Sequence, residues 1–405
     1  MRHTDLISVD SMIFVMLSLT RFMLASADKS KIFPLSHLDL RDFARSPWEG
    51  FELPADGREK IMNAVCNMFS GVQVEDLLKT ASPGESAEVC YASWAAGSGE
   101  IVYYTSGSTG VPKAARHTAD MLLQEVSEIG KRVDGIMEIV ALTPLQLCYG
   151  FTAGVLLQKH LGVPLKTLPP LPTLVRESLR PGMLVVGFPD FWNNMSKLTV
   201  EAPSGLVCIS AGAPWPAEAQ DRLRVAGGYS RIVEFFGSSE NGVFGCRTVS
   251  SDPFELFPYW SRTPLADSSR QFDLQRRLPD GSIVPLPLQD DFDWIDERHF
   301  FPVKRRDNAV QVGGVNVFPA RIAALLESHP AVKACRVRHM TQNEGARLKA
   351  FVVPESAQET SKLRRELDAW CRSRLSTPER PVSFTFGSSL PKTAYGKDCD
   401  WKIGE

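Results

Sequence analysis

The chain has 405 residues, 43% of them hydrophobic and 23% charged, with a formal net charge of −2. This length favours two or three domains, and the balance is that of an ordinary folded protein without the strongly basic surface of a nucleic-acid binder. The 8 cysteines are scattered, with no CxxC pair, which argues against a zinc site or a disulfide framework and suits reduced thiols in a cytoplasmic enzyme.

The first apolar run is Met12 to Leu19. Ala25-Ser26-Ala27 resembles a signal-peptidase site, but Asp5 and Asp10 sit where a signal carries positive charge and Arg21 interrupts the run. The run is too short to span a bilayer. It reads as an amphipathic helix packed on the body of the protein, with no membrane partner. An over-extended start is the alternative, since Met12 and Met23 lie downstream.

From about Arg58 to Val233, helix-like and strand-like segments alternate. Ile61–Phe69 and Thr118–Val133 read as helices. Ile139–Leu142, Met183–Phe188, Leu206–Ser210 and Ile232–Phe236 read as strands apolar on both faces, which suggests a parallel sheet. Between them lies TSGSTGVPK, after the apolar strand Ile101–Tyr104. Thr105, Ser106, Ser108 and Thr109 offer hydroxyls, Gly107 and Gly110 let the backbone approach an anion, and Lys113 adds charge. A polyphosphate is the natural ligand, although the spacing is not that of a P-loop. From Val243 to Phe292 short strands and turns suggest a small β subdomain, with a hairpin at Asp280-Gly281.

Beyond Val303 the texture is that of a compact α+β module. Val310–Val317 is a strand pair about Gly313-Gly314, Pro319–Ser328 a helix, Val332–Val337 and Leu348–Val353 strands, and Ser361–Leu375 a helix with Leu363, Leu367, Trp370 and Leu375 on one face. The expected architecture is an α/β large domain with parallel sheets and a small β subdomain (1–306, shortened at its start), plus a small α+β C-terminal domain (307–405).

Further motifs follow the Thr105 loop in order: Ser210-Ala211-Gly212-Ala213-Pro214, Phe236-Gly237-Ser238-Ser239-Glu240, Asp291 in DFDWID, KRRDNAVQVGGVNV from Lys304, and LPKTAYGK ending at Lys397. Together they resemble the adenylate-forming superfamily of acyl- and aryl-CoA synthetases, nonribosomal-peptide adenylation domains and luciferases, from about residue 100 to the end. The resemblance implies that a carboxylic acid attacks the α-phosphate of ATP to give an acyl-adenylate, whose acyl group then passes to a thiol of coenzyme A or of a carrier-protein phosphopantetheine arm. It places the β- and γ-phosphates on Thr105–Lys113, Mg²⁺ on Glu240, and a phosphate oxygen on Ser239, where the family usually has threonine. Phe236, Gly237 and Ser238 belong to the same nucleotide-binding turn. It sets the adenine against Gly212, Ala213 and Pro214, and the ribose on Asp291 and Arg305, with Asp290 and Asp293 as competitors for the carboxylate role. It assigns the catalytic cation to Lys397, with Lys392 nearby, and a hinge to Asp307, about which a mobile C-terminal domain swings. Otherwise Lys304, Arg305 and Arg306 form a solvated basic stretch.

The resemblance also places the acid pocket among the Pro144 segment, Phe188, the Gly212 wall and the Gly237 loop, with Tyr149, Gly150 and Phe188 as substrate contacts. Tyr149, Phe151, Trp215, Phe235 and Phe236 suggest an aromatic or short hydrophobic acid, or else they are plain core residues. His117 and His160 are expected to be structural or exposed. The family's usual substrate-facing histidine is absent from Pro144–Phe151, where Tyr149 or Gln146 takes over that surface, and Gln311 replaces a common lysine. The acceptor therefore stays open to an amine, a hydroxyl or a reductase. A catalytically degenerate nucleotide-binding protein is the rival of another class, and the resemblance leaves a homodimer open.

Overall fold

The computed structural model describes residues 3–27, 39–105, 113–198, 202–265, 268–286, 288–306, 308–313, 315–341, 344–356, 359–392 and 399–403. They divide into two compact units, one running to residue 105 and then over 114–288 and 292–301, the other including 289–291 and 302 onwards.

The first unit begins with helices, among them α1 (Val9–Ala27), α2 (Gly57–Met68) and α3 (Pro83–Ala96). α1 packs on the body, as its sequence suggests, but it is buried more completely than an amphipathic helix. Residues 11–17 are buried without a break, and Met12, Val15 and Met16 share one core with Ile61 and Val65 of α2 and with Cys90 and Trp94 of α3. A helix can be buried all round when its polar residues are small and satisfied locally. Thr20 does this by donating its hydroxyl to the Met16 carbonyl at 2.8 Å.

Strands β1 (Ile101–Thr105) and β2 (Lys113–His117) form a two-stranded sheet, followed by α4 (Ala119–Arg132), whose first turn is capped by the Thr118 hydroxyl. The main sheet is built from β3 (Glu138–Ala141), β4 (Leu165–Thr167), β5 (Met183–Gly187), β6 (Leu206–Ser210), β7 (Tyr229–Ser238), β8 (Gly242–Arg247) and β9 (Phe254–Leu256). β13 (Asp290–Trp294) and β14 (His299–Arg305) complete it, in the order β13-β14-β9-β8-β7-β6-β5-β3-β4. The pairs β4/β3, β3/β5, β5/β6 and β6/β7 are parallel, as the doubly apolar runs suggest.

From β7 onward the sheet turns antiparallel, through β8, β9 and β14. A tight turn of a few residues cannot make a parallel crossover, so β8 must fold back on β7. The small β subdomain expected over Val243–Phe292 is thus only partly separate. β10 (Trp260–Leu265), β11 (Ser268–Arg277) and β12 (Ile283–Leu286) form their own antiparallel sheet, whereas β8, β9 and β13 extend the main one. The Asp280-Gly281 turn closes β11 on β12, with Gly281 at φ +86° and the Asp280 carboxylate accepting the Ser282 N–H at 2.9 Å.

The sheet is covered on both faces. One face carries Val207, Ile209 and Val233 against α4 and the helical run at 148–161; the other carries Val185, Cys208 and Ile232 against helices Pro172–Ser178, Pro189–Met195 and α5 (Ala217–Ala226).

In the second unit, β15 (Val310–Val312) and β16 (Val315–Val317) pair antiparallel, with Gly313 at φ +58°. β17 (Val332–His339), β18 (Leu348–Pro354) and β19 (Pro381–Phe386) form a mixed sheet, antiparallel then parallel. Ile322 and Leu326 of α6 (Pro319–Glu327), and Leu363 and Leu367 of α7 (Thr360–Arg374), fill its core with Val337, Leu348 and Val352. Among the described residues no helix is long and apolar enough to cross a membrane, and all eight cysteines are free thiols.

Candidate active site

Four loops meet one edge of the parallel strands. Registers such as Leu184↔Val207 and Gly187↔Ser210 keep the carboxyl ends of β5 and β6 level, while β7, which faces Ser210 with Glu234, runs on to Ser238 in the same direction. After β3 comes the segment with Tyr149 and Gly150, after β5 comes Phe188, after β6 comes Gly212–Pro214, and after β7 comes Ser239-Glu240. The strand order β5-β3-β4 makes β3 the place where the winding reverses, because the helix after β3 and the helices after β4 and β5 cover opposite faces. In open α/β sheets, ligands bind in the crevice outside such a switch point.

Glycine is demanded here by space. A side chain at Gly150 would lie 2.2 Å from the Pro144 carbonyl, and one at Gly237 would lie 2.3 Å from the Gly242 carbonyl. Gly212 takes φ +90°, a region costly for any other residue. The Gly212–Pro214 loop is held from below by Glu234, buried on β7, which accepts the Trp215 N–H at 3.1 Å and pairs with Arg247 at 2.8 Å. Trp215 stacks on Trp192 with centroids 5.5 Å apart.

In the turn after β7, the Asn241 N–H donates to the Ser238 hydroxyl at 3.2 Å. The Glu240 Oε2 atom is buried with no hydrogen-bond partner. Tyr149 is half-buried, its hydroxyl also lacks a partner, and burial pushes its pKa well above that of an ordinary phenol. Phe188 is half-buried beside Phe191, and Phe236 lies among Phe244, Phe254, Phe292 and Phe300. Phe151, Trp215 and Phe235 lie in the interior, each at most 2% exposed, so they are core residues.

The ribose candidates lie in the second unit. Asp291 accepts from Arg306 Nε at 2.9 Å, and Arg305 faces Asp290 at 3.9 Å. Thr105 ends β1 and Lys113 begins β2. Ser106, Gly107, Ser108, Thr109, Gly110, the hinge candidate Asp307 and the catalytic candidate Lys397 lie outside the described residues.

A family model described as AMP-binding enzyme matches residues 59–264, and one described as AMP-binding enzyme C-terminal domain matches residues 321–397. A protein named 4-coumarate–CoA ligase from Halorhodospira halophila is 34% identical over 326 residues, covering 80% of this chain and 81% of that one. The chain belongs to the AMP-binding enzyme family. The fold agrees with solved adenylate-forming enzymes. An amide bond synthetase from Marinactinospora thermotolerans aligns at 19% identity, 73% of this chain and 67% of that one, with a TM-score of 0.63. An o-succinylbenzoate CoA synthetase from Bacillus subtilis aligns at 18% identity, 74% and 67%, with a TM-score of 0.60.

A magnesium ion needs a carboxylate oxygen that is not already hydrogen-bonded, and Glu240 Oε2 meets that requirement. Among the described residues no group of three His, Cys, Asp or Glu side chains converges on a metal position. Mg²⁺ keeps several waters and needs only one or two carboxylates beside phosphate oxygens, so a single such carboxylate is compatible with it. A cavity of about 420 Å³ opens elsewhere, beside Arg231 and Val233 in the first half of β7, and is not part of this crevice.

His117, expected to be structural or exposed, is structural. His117 is buried, with Nε2 2.7 Å from the Ser239 carbonyl. Its one signal in the sequence is its place in the strand that leaves the Thr105–Lys113 loop. His160 is exposed.

Proposed function

We propose that the enzyme uses ATP to activate an aromatic or short hydrophobic carboxylic acid as an acyl-adenylate, and then transfers the acyl group to the thiol of coenzyme A. The carrying observation is the set of loops at the carboxyl edge of β3, β5, β6 and β7, in the order expected for acid, adenine and phosphate. The names of the 4-coumarate–CoA ligase relatives support both the aryl acid and the acceptor.

In the first half-reaction a carboxylate oxygen attacks the α-phosphorus and pyrophosphate leaves. The Gly212–Pro214 loop gives the adenine a flat wall. Asp291, held by Arg306, would accept from the ribose hydroxyls through its carboxylate, and Arg305 lies on the same β13–β14 pair. Glu240 would hold Mg²⁺, which when bound would offset the charge of the phosphates. Thr105 and Lys113 close the two ends of the phosphate loop, and Lys397 meets the crowded negative charge between acid and α-phosphate. In the second half-reaction a thiolate attacks the acyl carbon and AMP leaves. Tyr149, Gly150 and Phe188 flank the switch-point crevice where the acid sits. Residues 307–405 act as a mobile domain about Asp307, and the enzyme works in the cytoplasm.

The test is pyrophosphate exchange across a panel of acids, followed by coenzyme A, a holo carrier protein or an amine as acceptor. Exchange with hydroxycinnamic or benzoic acids and product with coenzyme A is the expected result. No exchange with any acid overturns adenylation, and product with an amine alone overturns the acceptor.

A further inference from the structure

The strand that leaves the phosphate loop and the turn that carries Glu240 are tied together by one side chain. His117 is the last residue of β2, 1% exposed. Its ring meets Tyr103 of β1 edge-on, with centroids 5.5 Å apart, so β1 fixes its plane. A carbonyl oxygen only accepts, so the 2.7 Å contact between His117 Nε2 and the Ser239 carbonyl makes Nε2 the protonated nitrogen. Nδ1 is then bare, and it is buried with no partner. Burial also pushes the His117 pKa down, which favours this neutral form.

The Ser239 carbonyl belongs to the peptide that joins Ser239 to Glu240. Fixing that oxygen fixes the peptide plane, and with it the direction in which the Glu240 side chain leaves the backbone. The rest of the turn is held as well. Asn241 N–H is bound to Ser238, and Gly242, at φ +71°, is pressed on Glu125 so closely that a side chain there would lie 2.1 Å from Oε2. The Glu240 carboxylate is thus left with a buried, unpartnered oxygen on a turn whose backbone is clamped.

We propose that His117 is a positioning residue for the metal and phosphate end of the site: by donating Nε2–H to the Ser239 carbonyl it aims Glu240 at Mg·ATP. This rests on the reading of Glu240 as the metal ligand. Groups that orient a ligand in this way are worth roughly 10–100-fold in metal affinity.

The test uses the full chain and Mn²⁺ with ATP, in the absence of acid, read by electron paramagnetic resonance of free Mn²⁺. His117→Gln places an amide N–H close to where Nε2–H stood; His117→Asn places it near Nδ1, and His117→Met removes it. We expect His117→Gln to bind Mn·ATP within about 2-fold of the parent, and His117→Asn and His117→Met to bind it about 10-fold or more weakly. In pyrophosphate exchange the Mg²⁺ requirement should rise by a similar factor while KM for the acid stays within about 2-fold. If His117→Met does not fold, the comparison of His117→Gln with His117→Asn decides alone. Parent-like binding by His117→Asn, or equal losses for metal and acid, overturns the proposal. Glu240→Gln separates the two levels. If it too binds Mn·ATP like the parent, the metal reading falls. If it loses binding while His117→Asn keeps it, only the positioning role falls.

Discussion

Glu125 is a carboxylic acid sealed inside the protein. It lies on α4, fully buried, and burial pushes its pKa up to about 7 against the pull of the Arg276 guanidinium. In the unfolded chain the group titrates near 4.5. The folded state therefore holds its proton more tightly than the unfolded state does. The stability that this contributes is complete below pH 4.5 and is lost as the pH climbs through 7. A shift of this size corresponds to about 3 kcal/mol between the two limits. Chemical denaturation from pH 5 to pH 9 should show the parent losing stability, and Glu125→Gln should remove that part of the slope. Equal slopes would show that the carboxyl ionises freely in the fold.

Among the elements of the second unit, the tail after residue 398 is fastened by a buried lysine. Lys349 of β18 is 0% exposed and pairs with Glu344 at 2.6 Å and Asp400 at 3.3 Å, while its ammonium also bonds the Trp401 carbonyl. Its Nζ sits 5.2 Å from the Trp401 ring, which packs edge-on against Phe351. The Lys349 ammonium holds Glu344 down to about 2. Replacing it by an isosteric apolar chain, Lys349→Met, leaves Glu344 and Asp400 with Arg338 as their remaining cation and the Trp401 carbonyl without its donor. That variant should lose about 2 kcal/mol, read as a lower midpoint in urea with an unchanged slope. An unchanged midpoint would mean that the tail is held by Trp401 packing alone. Neither Lys349 nor His117 stood out in the sequence, because both are charged or titratable residues placed one at a time in strands, and only their distant partners give them a role. The parallel strands were legible because each is a short run apolar on both faces. α1 was legible as a helix packed on the body, but not how deeply it is buried, because Ser11, Ser18 and Thr20 mimic a polar face although they are satisfied by hydrogen bonds, Ser18 donating to Gln146 at 2.7 Å. The junction of β8 and β9 with the main sheet left no trace either, since pairing partners are not written in periodicity.

For the whole molecule, the sequence motifs that could be located on the parallel sheet, Tyr149-Gly150, Phe188, Gly212–Pro214 and Phe236–Glu240, all fall at one sheet edge, and their short glycine-rich spacings are what made them readable. Of the motifs elsewhere, Asp307 and Lys397 belong to a proposed two-stroke cycle, and kinetics can test it directly. Adenylation brings a carboxylate against an α-phosphate, so a cation at that point lowers the barrier. Thioester formation starts from a mixed anhydride in which those charges are already joined, so the same cation contributes little. Lys397→Ala should therefore lose pyrophosphate exchange by roughly 10²–10³-fold, yet convert supplied acyl-adenylate and coenzyme A to thioester within a few-fold of the parent rate. Next to the proposed hinge, Asn308 holds φ at +55°, a left-handed value that asparagine tolerates better than most residues. Proline at residue 307 locks its own φ near −65° and restricts the residue before it, so Asp307→Pro should hold the chain in one arrangement. If that arrangement is the adenylating one, exchange survives while thioester formation is suppressed, the mirror image of Lys397→Ala. Parallel loss of both half-reactions in both variants would mean that one fixed arrangement of the domains serves both steps.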